Sequence, residues 1–223
     1  MVVNTSETSS ITLEAWLPSN WAGRFLSGGN GGLSGCIQYV GLSYGSSSGF
    51  ATISSNNGHN GSSTKPFYQH PEVLEDYVYR SIYTGSLVGK EATTQFYGED
   101  VGKSYFMGCS GGGRQGFKMA QSFPDVFDGI VAAAPAIDFV NLINWGGYLS
   151  TVAGFETKSS TFITESLWQT IHEEVLNQCD GLDGAVYGYE LTTFLLASTF
   201  PLIVVPPPAS SKTQICVILN SSV

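Results

Sequence analysis

The stretch Lys103-Ser104-Tyr105-Phe106-Met107-Gly108-Cys109-Ser110-Gly111-Gly112-Gly113-Arg114-Gln115-Gly116 decides the fold. Its first half, around Tyr105-Phe106-Met107, reads as a buried strand. Its second half leaves a glycine turn as a helix over Gln115 to Phe123, which Pro124 stops. Gly108, Ser110 and Gly112 give the spacing G-x-S-x-G. A serine at a sharp strand-to-helix turn takes a strained backbone conformation, and glycines two residues to either side let the turn close without Cβ clashes. The hydroxyl then stands above the sheet edge, which makes Ser110 the candidate nucleophile. The N–H of Gly111, at the start of the helix, is expected to face the oxygen of a carbonyl under attack and so to form half of an oxyanion hole. A glycine-rich turn with an incidental serine is the competing reading; the strand before and the helix after favour the nucleophile.

Working outward, Ile11 to Leu17 alternates apolar and polar as a half-buried strand does and ends at Pro18. Arg24-Phe25-Leu26 is a second strand and runs into Ser27-Gly28-Gly29-Asn30-Gly31-Gly32. A glycine-rich loop directly after an early strand suits a second oxyanion donor, expected from the backbone of Asn30 or Gly31, with a flexible turn as the alternative. Gly49 to Ser54 is the next strand, and Asn56 to Gly61 the loop at its end. His59 in that loop precedes Ser110, the wrong order for the base in a fold that runs serine, acid, histidine, so a structural or substrate-contacting role is expected. Residues 72–84 and 87–97 carry apolar side chains at helical spacing, with Pro71 at a helix start and Gly85 between them. Gly129 to Pro135 is a continuous apolar run of the kind buried in a parallel sheet. The alternation of strands and helices gives an α/β class with a mostly parallel sheet and flanking helices. From Asp138 the character changes. Residues 167–176 form an amphipathic helix with Trp168, Ile171, Val175 and Leu176 on its inner face. His172 on that helix is the one histidine after Ser110 and sits beside Glu173 and Glu174, a poor setting for a base.

The 223 residues suffice for one sizeable core, or one domain with the start of another. Only 12% are charged and the formal net charge is −9, which speaks against nucleic-acid and anionic-membrane partners. Met1 to Glu7 lacks a basic region followed by an apolar run, so no signal peptide is read in this chain. The apolar stretch from Phe194 to Val205 is too short to span a bilayer and contains Pro201. The four cysteines, Cys36, Cys109, Cys179 and Cys216, allow two bridges or buried free thiols. Asn4, Asn60 and Asn220 lie in glycosylation sequons.

The nucleophile segment, Gly108-Cys109-Ser110 followed by Gly112-Gly113-Arg114-Gln115-Gly116, resembles that of the tannase and feruloyl esterase family of fungal and bacterial ester hydrolases. So do Trp21-Ala22-Gly23-Arg24-Phe25-Leu26, Gly29-Asn30-Gly31-Gly32, Asn56-Asn57-Gly58-His59-Asn60-Gly61, Tyr79-Arg80-Ser81-Ile82, Phe127-Asp128-Gly129-Ile130-Val131-Ala132 and Cys179-Asp180-Gly181-Leu182-Asp183-Gly184, in the family's order. The resemblance runs from about Ile11 to about Gly188. It implies an incomplete α/β-hydrolase fold over residues 1–140, the start of an inserted lid domain over 141–190, and a divergent tail over 191–223 whose abrupt loss of similarity suggests a shifted reading frame or retained intron.

By the same resemblance the chain is a secreted serine esterase that releases phenolic acids such as ferulic or gallic acid from small aromatic, plant cell-wall or tannin esters. Cys109, beside the nucleophile, is implied to pair with a cysteine next to a downstream catalytic histidine, and so to lack its partner here. The loop from Cys179 to Tyr189 resembles a structural calcium loop, with carboxylates from Asp180 and Asp183 and carbonyls from Ala185 and Tyr189. Tyr187 stands where the family has a third aspartate, which weakens the calcium expectation; an Asp-Gly turn competes with it. The family's catalytic aspartate and histidine have no counterpart in this chain. The alternative expectation is therefore an inactive fragment or a binding remnant of such an esterase.

Overall fold

Strand β5, Lys103–Cys109, lies inside a six-stranded sheet. The computed structural model describes residues 1–154, 159–181, 184 and 186. The chain divides into two units, Met1–Phe139 and Val140–Val223. In the first, β1 (Val2–Asn4), β2 (Ser10–Trp16), β3 (Arg24–Gly28), β4 (Phe50–Ser55), β5 and β6 (Gly129–Ala133) stand in the order β1-β2-β4-β3-β5-β6. The pairs β1–β2 and β2–β4 are antiparallel; β4–β3, β3–β5 and β5–β6 are parallel. Each parallel step needs a crossover, supplied by α1 (Tyr39–Ser47), α3 (Ser81–Tyr97) and α4 (Gly111–Ser122). Phe25, Ile53, Ile82, Phe106 and Met119 from these strands and helices, each at most 2% exposed, make the centre of the core. The mostly parallel α/β sheet expected from the alternation is thus present.

Three expectations need correction. Gly85 does not separate two helices: α3 runs through it, and a Cβ there would meet Ile11 and Leu13 of β2 at 3.8 and 3.9 Å. The irregularity lies earlier, between α2 (Pro71–Glu75) and α3, where Asp76–Arg80 forms a π-turn and the Ser81 N–H reaches back to the Asp76 carbonyl. The run from Gly129 is a strand, but it is not buried on both faces. Among the described residues β6 pairs only with β5, and Val131 is 60% exposed. Finally, the helix over 167–176 is longer, α6 (Glu165–Cys179), and leaves Trp168 and Ile171 exposed; Cys179 is its buried residue. It follows α5 (Phe139–Ala153) in the chain. Among the described residues no helix is long and apolar enough to cross a membrane. The tail over 191–223 lies outside the described residues.

One ion pair ties the start of β5 to the entry of β6. Asp128 accepts from Lys103 Nζ at 2.7 Å and from the Ser104 N–H at 2.8 Å. These donors, Lys103 first, hold its carboxyl at about 2, below the ordinary 3.8. A depressed folded value means the pair contributes stability above about pH 4 that is lost as the pH falls towards 2. Asp128→Asn is therefore expected to lower the urea midpoint at neutral pH and to match the wild type near pH 2; parallel midpoints at both pH values would contradict this.

Candidate active site

Cys109 ends β5 and Gly111 begins α4, so the turn between them is Ser110 alone. Its backbone stands at φ 59°, ψ −114°, a region L-residues rarely adopt. Three hydrogen bonds hold it there. Its N–H donates to the Ala133 carbonyl at 3.0 Å, and its carbonyl accepts from Arg114 and Ala136, each at 3.0 Å. Strain of this kind persists only where the surroundings over-determine it, and it collects at reactive sites. The side chain is exposed, at the C-terminal edge of the parallel strands.

The glycines make this approach possible. A Cβ on Gly108 would lie 2.6 Å from the carbonyl carbon and oxygen of Gly112. One on Gly29 would lie 2.9 Å from the Gly112 Cα and 2.7 Å from Phe106 Cζ. The loop after β3 and the first turn of α4 therefore meet backbone against backbone, and two glycine runs far apart in sequence form one structure.

That contact brings a second set of N–H groups to the turn. The ideal Cβ position of Gly111 is 3.0 Å from the carbonyl oxygen of Asn30 and 3.0 Å from both N and O of Gly32. Among the described residues the N–H groups of Gly111, Gly31 and Gly32 have no acceptor. The N-terminus of α4 has no side-chain cap and no acidic residue in its first turn, so its positive end is left for an anion. Asn30 needs a correction as a donor: its N–H bonds Gln115 Oε1 at 3.0 Å and the residue is 2% exposed. The N–H of Gly31, the other expected donor, is unpaired among the described residues, and so is that of Gly32. Nothing local in the sequence says which peptide of a glycine run stays unpaired.

No base is hydrogen-bonded to Ser110 among the described residues. His59 is 5% exposed and its Nε2 lies 2.9 Å from the Leu33 carbonyl. A carbonyl only accepts, so Nε2 carries the proton and the ring is a structural donor, edge-on to Phe67 and Tyr77. His172 is exposed on α6, in the second unit. Cys109 and Cys36 are exposed free thiols. Asp180 is buried at the end of α6, whereas Asp183, Ala185, Tyr187 and Tyr189 lie outside the described residues. Among the described residues no three His, Cys, Asp or Glu side chains are grouped to hold a metal ion.

A strained serine between a parallel strand and a helix, with unpaired N–H groups in the glycine loop packed on that helix start, is the arrangement expected of an acyl-transfer hydrolase. The model of the tannase and feruloyl esterase family matches residues 1–189. The chain belongs to this family. It is 55% identical over 214 residues to a probable feruloyl esterase B-2 of Neosartorya fischeri, covering 96% of this chain and 40% of that protein. It is 57% identical over 188 residues to a probable feruloyl esterase B-2 of Aspergillus oryzae. Among solved structures, feruloyl esterase B from Aspergillus oryzae superposes with a TM-score of 0.78 at 52% identity, over 87% of this chain and 38% of that one. The tannin acyl hydrolase from Aspergillus niger gives 0.67 at 27% identity. The fold is thus α/β-hydrolase-like, and the family is one of carboxylic ester hydrolases. The chain spans about 40% of the length of the first of these curated relatives. Although the family match ends at residue 189, the Neosartorya alignment extends further into the tail.

Proposed function

We propose that this chain carries the nucleophile and oxyanion hole of a secreted carboxylic ester hydrolase acting on esters of ferulic, related hydroxycinnamic or gallic acid. The observation that carries it is the one-residue turn at Ser110, fixed by three backbone hydrogen bonds at positive φ. In this reading Ser110 Oγ attacks the ester carbonyl. The N–H groups of Gly111 and Gly31 receive the oxygen as it becomes an oxyanion, the positive end of α4 adding to the field there. The serine proton passes to a base, the alcohol leaves, and water releases the aromatic acid from the acyl-serine. The specificity for phenolic esters is supported by the family and its named relatives; the secretion follows from the family resemblance alone.

A second reading, a binding remnant without turnover, is favoured by one observation: Ser110 has no hydrogen-bonded base among the described residues. Oxyanion donors and binding without the full triad retain about 10³- to 10⁴-fold catalysis over water, so the two readings separate by experiment. Methyl ferulate hydrolysis is measured in a cooperatively folding sample, with imidazole added as an external base. The esterase reading expects saturable release of ferulate that Ser110→Ala reduces to the buffer rate. Equal rates for wild type and Ser110→Ala overturn it, and saturable binding of the ester with no such difference establishes the remnant.

A further inference from the structure

We infer that Gln115 and Tyr77 are positioning residues: from α4 and from the π-turn they clamp the Gly29–Gly32 loop and so set where its unpaired N–H groups point. The inference rests on the reading of Ser110 as nucleophile. Three of the four loop residues are glycine, and glycine loses more freedom on ordering than any other residue. Oxyanion donors, however, act only when fixed before the charge develops. Something must hold this loop, and the hydrogen bonds identify what does.

At its start, the Gly29 N–H continues the β3–β5 ladder to the Met107 carbonyl at 2.9 Å. Next, the Asn30 N–H donates to Gln115 Oε1 at 3.0 Å. Gln115 is fully buried, and its amide can take only one orientation. Asn30 offers a donor, so Gln115 must present oxygen there, and Nε2 then donates to Asn57 Oδ1 at 3.1 Å. Asn57 Oδ1 also receives the Ser81 hydroxyl, and its Nδ2 donates to the Ser34 carbonyl, both at 3.0 Å. Both side-chain polar atoms of Gln115 and both of Asn57 have partners, which fixes their amides, whereas Asn30 Oδ1 is buried without one among the described residues.

At the other end, the Tyr77 hydroxyl donates to the Gly32 carbonyl at 2.7 Å. The ring is 3% exposed, packs against Phe67 at 5.0 Å, and has the Arg114 guanidinium 5.1 Å from its centre. Its backbone sits in the π-turn beside Asp76, which is tied to Arg80 at 2.6 Å and to Thr5 at 2.7 Å. Burial raises the phenol's pKa, with Arg114 opposing, so the hydroxyl stays a donor. The N–H groups of Gly31 and Gly32 lie between the two anchors. They are left without acceptors while the peptides around them are fixed.

The test uses the full chain with Tyr77→Phe, which removes only the hydroxyl, Gln115→Leu, which removes both amide bonds, and Ser110→Ala. Hydrogen–deuterium exchange is read over residues 27–34 against residues 103–109, and Ser110-dependent methyl ferulate turnover is followed with imidazole as base. Both clamp variants should exchange over 27–34 about tenfold faster with 103–109 unchanged. They should lower kcat by about 10- to 100-fold with KM within about twofold, up to the effect of losing one oxyanion donor. Unchanged exchange in folded Tyr77→Phe overturns the clamp, as does faster exchange with unchanged kcat. Tyr77→Phe alone decides if Gln115→Leu does not fold. If Ser110→Ala matches wild type in turnover, the nucleophile reading fails, and the exchange arm still decides whether the loop is clamped.

Discussion

Replacing Asp76 with alanine should lower the stability of the Met1–Phe139 unit by about 3 kcal/mol, measured as a shift in the urea midpoint. The side chain is fully buried. One oxygen accepts from Arg80 Nε at 2.6 Å, and the other from Thr5 at 2.7 Å and from the Ser9 hydroxyl. Thr5 and Ser9 lie between β1 and β2, so this carboxylate binds the N-terminal hairpin to the helical layer. Removing one partner of a buried ion pair costs about 3–5 kcal/mol, because the other charge is left uncompensated. The lower end applies because Arg80 keeps Glu72 at 2.8 Å and Glu75 at 3.5 Å. Against a total of about 5–15 kcal/mol for a domain, the loss is large. A change below about 0.5 kcal/mol, the scale of an exposed surface substitution, would mean that the network is replaceable by water.

Gly108→Ala should do less to stability and more to chemistry. The new methyl would sit 2.6 Å from the Gly112 carbonyl carbon and oxygen, and backbone cannot rotate away as a flexible side chain does. Overpacking of this kind costs about 1–3 kcal/mol. The relief available is to push the first turn of α4 away from β5, which carries Gly111 out of line with Ser110. A displacement of about 1 Å lowers reaction rates about 10²-fold, so labelling of Ser110 by a phosphonate ester should slow by at least that much. Gly31→Ala is the control for stability. Its Cβ meets nothing within 4 Å, and its φ is not in the left-handed region, so its melting temperature should equal the wild type's. A Gly108→Ala chain that labels at the wild-type rate would remove close backbone approach from the account.

Much of this was legible because it is local. Alternation over Ile11 to Leu17 marked β2, and the glycines around Ser110 marked the turn. Helix α1 was not legible: Tyr39–Ser47 has two glycines and three serines and buries only Leu42 and Gly45, so it carries no apolar stripe. Strand β1 has three residues and no periodicity to read. The apolar run at Gly129 revealed a strand but not its place in the sheet, since the same composition serves an interior strand and the last one. Asn30 illustrates the deeper limit. Which groups of the glycine loop are paired depends on Gln115, 85 residues from Asn30, and on Tyr77, 45 residues from Gly32. No spacing rule within the loop contains that information.

The central claim is that Ser110 is held ready to attack. Incubating the folded chain with a p-nitrophenyl phosphonate in imidazole buffer, followed by tryptic digestion and mass spectrometry, tests it most directly. The phosphonyl oxygen occupies the place of the oxyanion, and the bond forms at the nucleophile. The account predicts a single adduct in the peptide Ser104–Arg114, assigned to Ser110 by fragmentation, and its absence in Ser110→Ala. No adduct on a cooperatively folded chain, or the same labelling in Ser110→Ala, would contradict it.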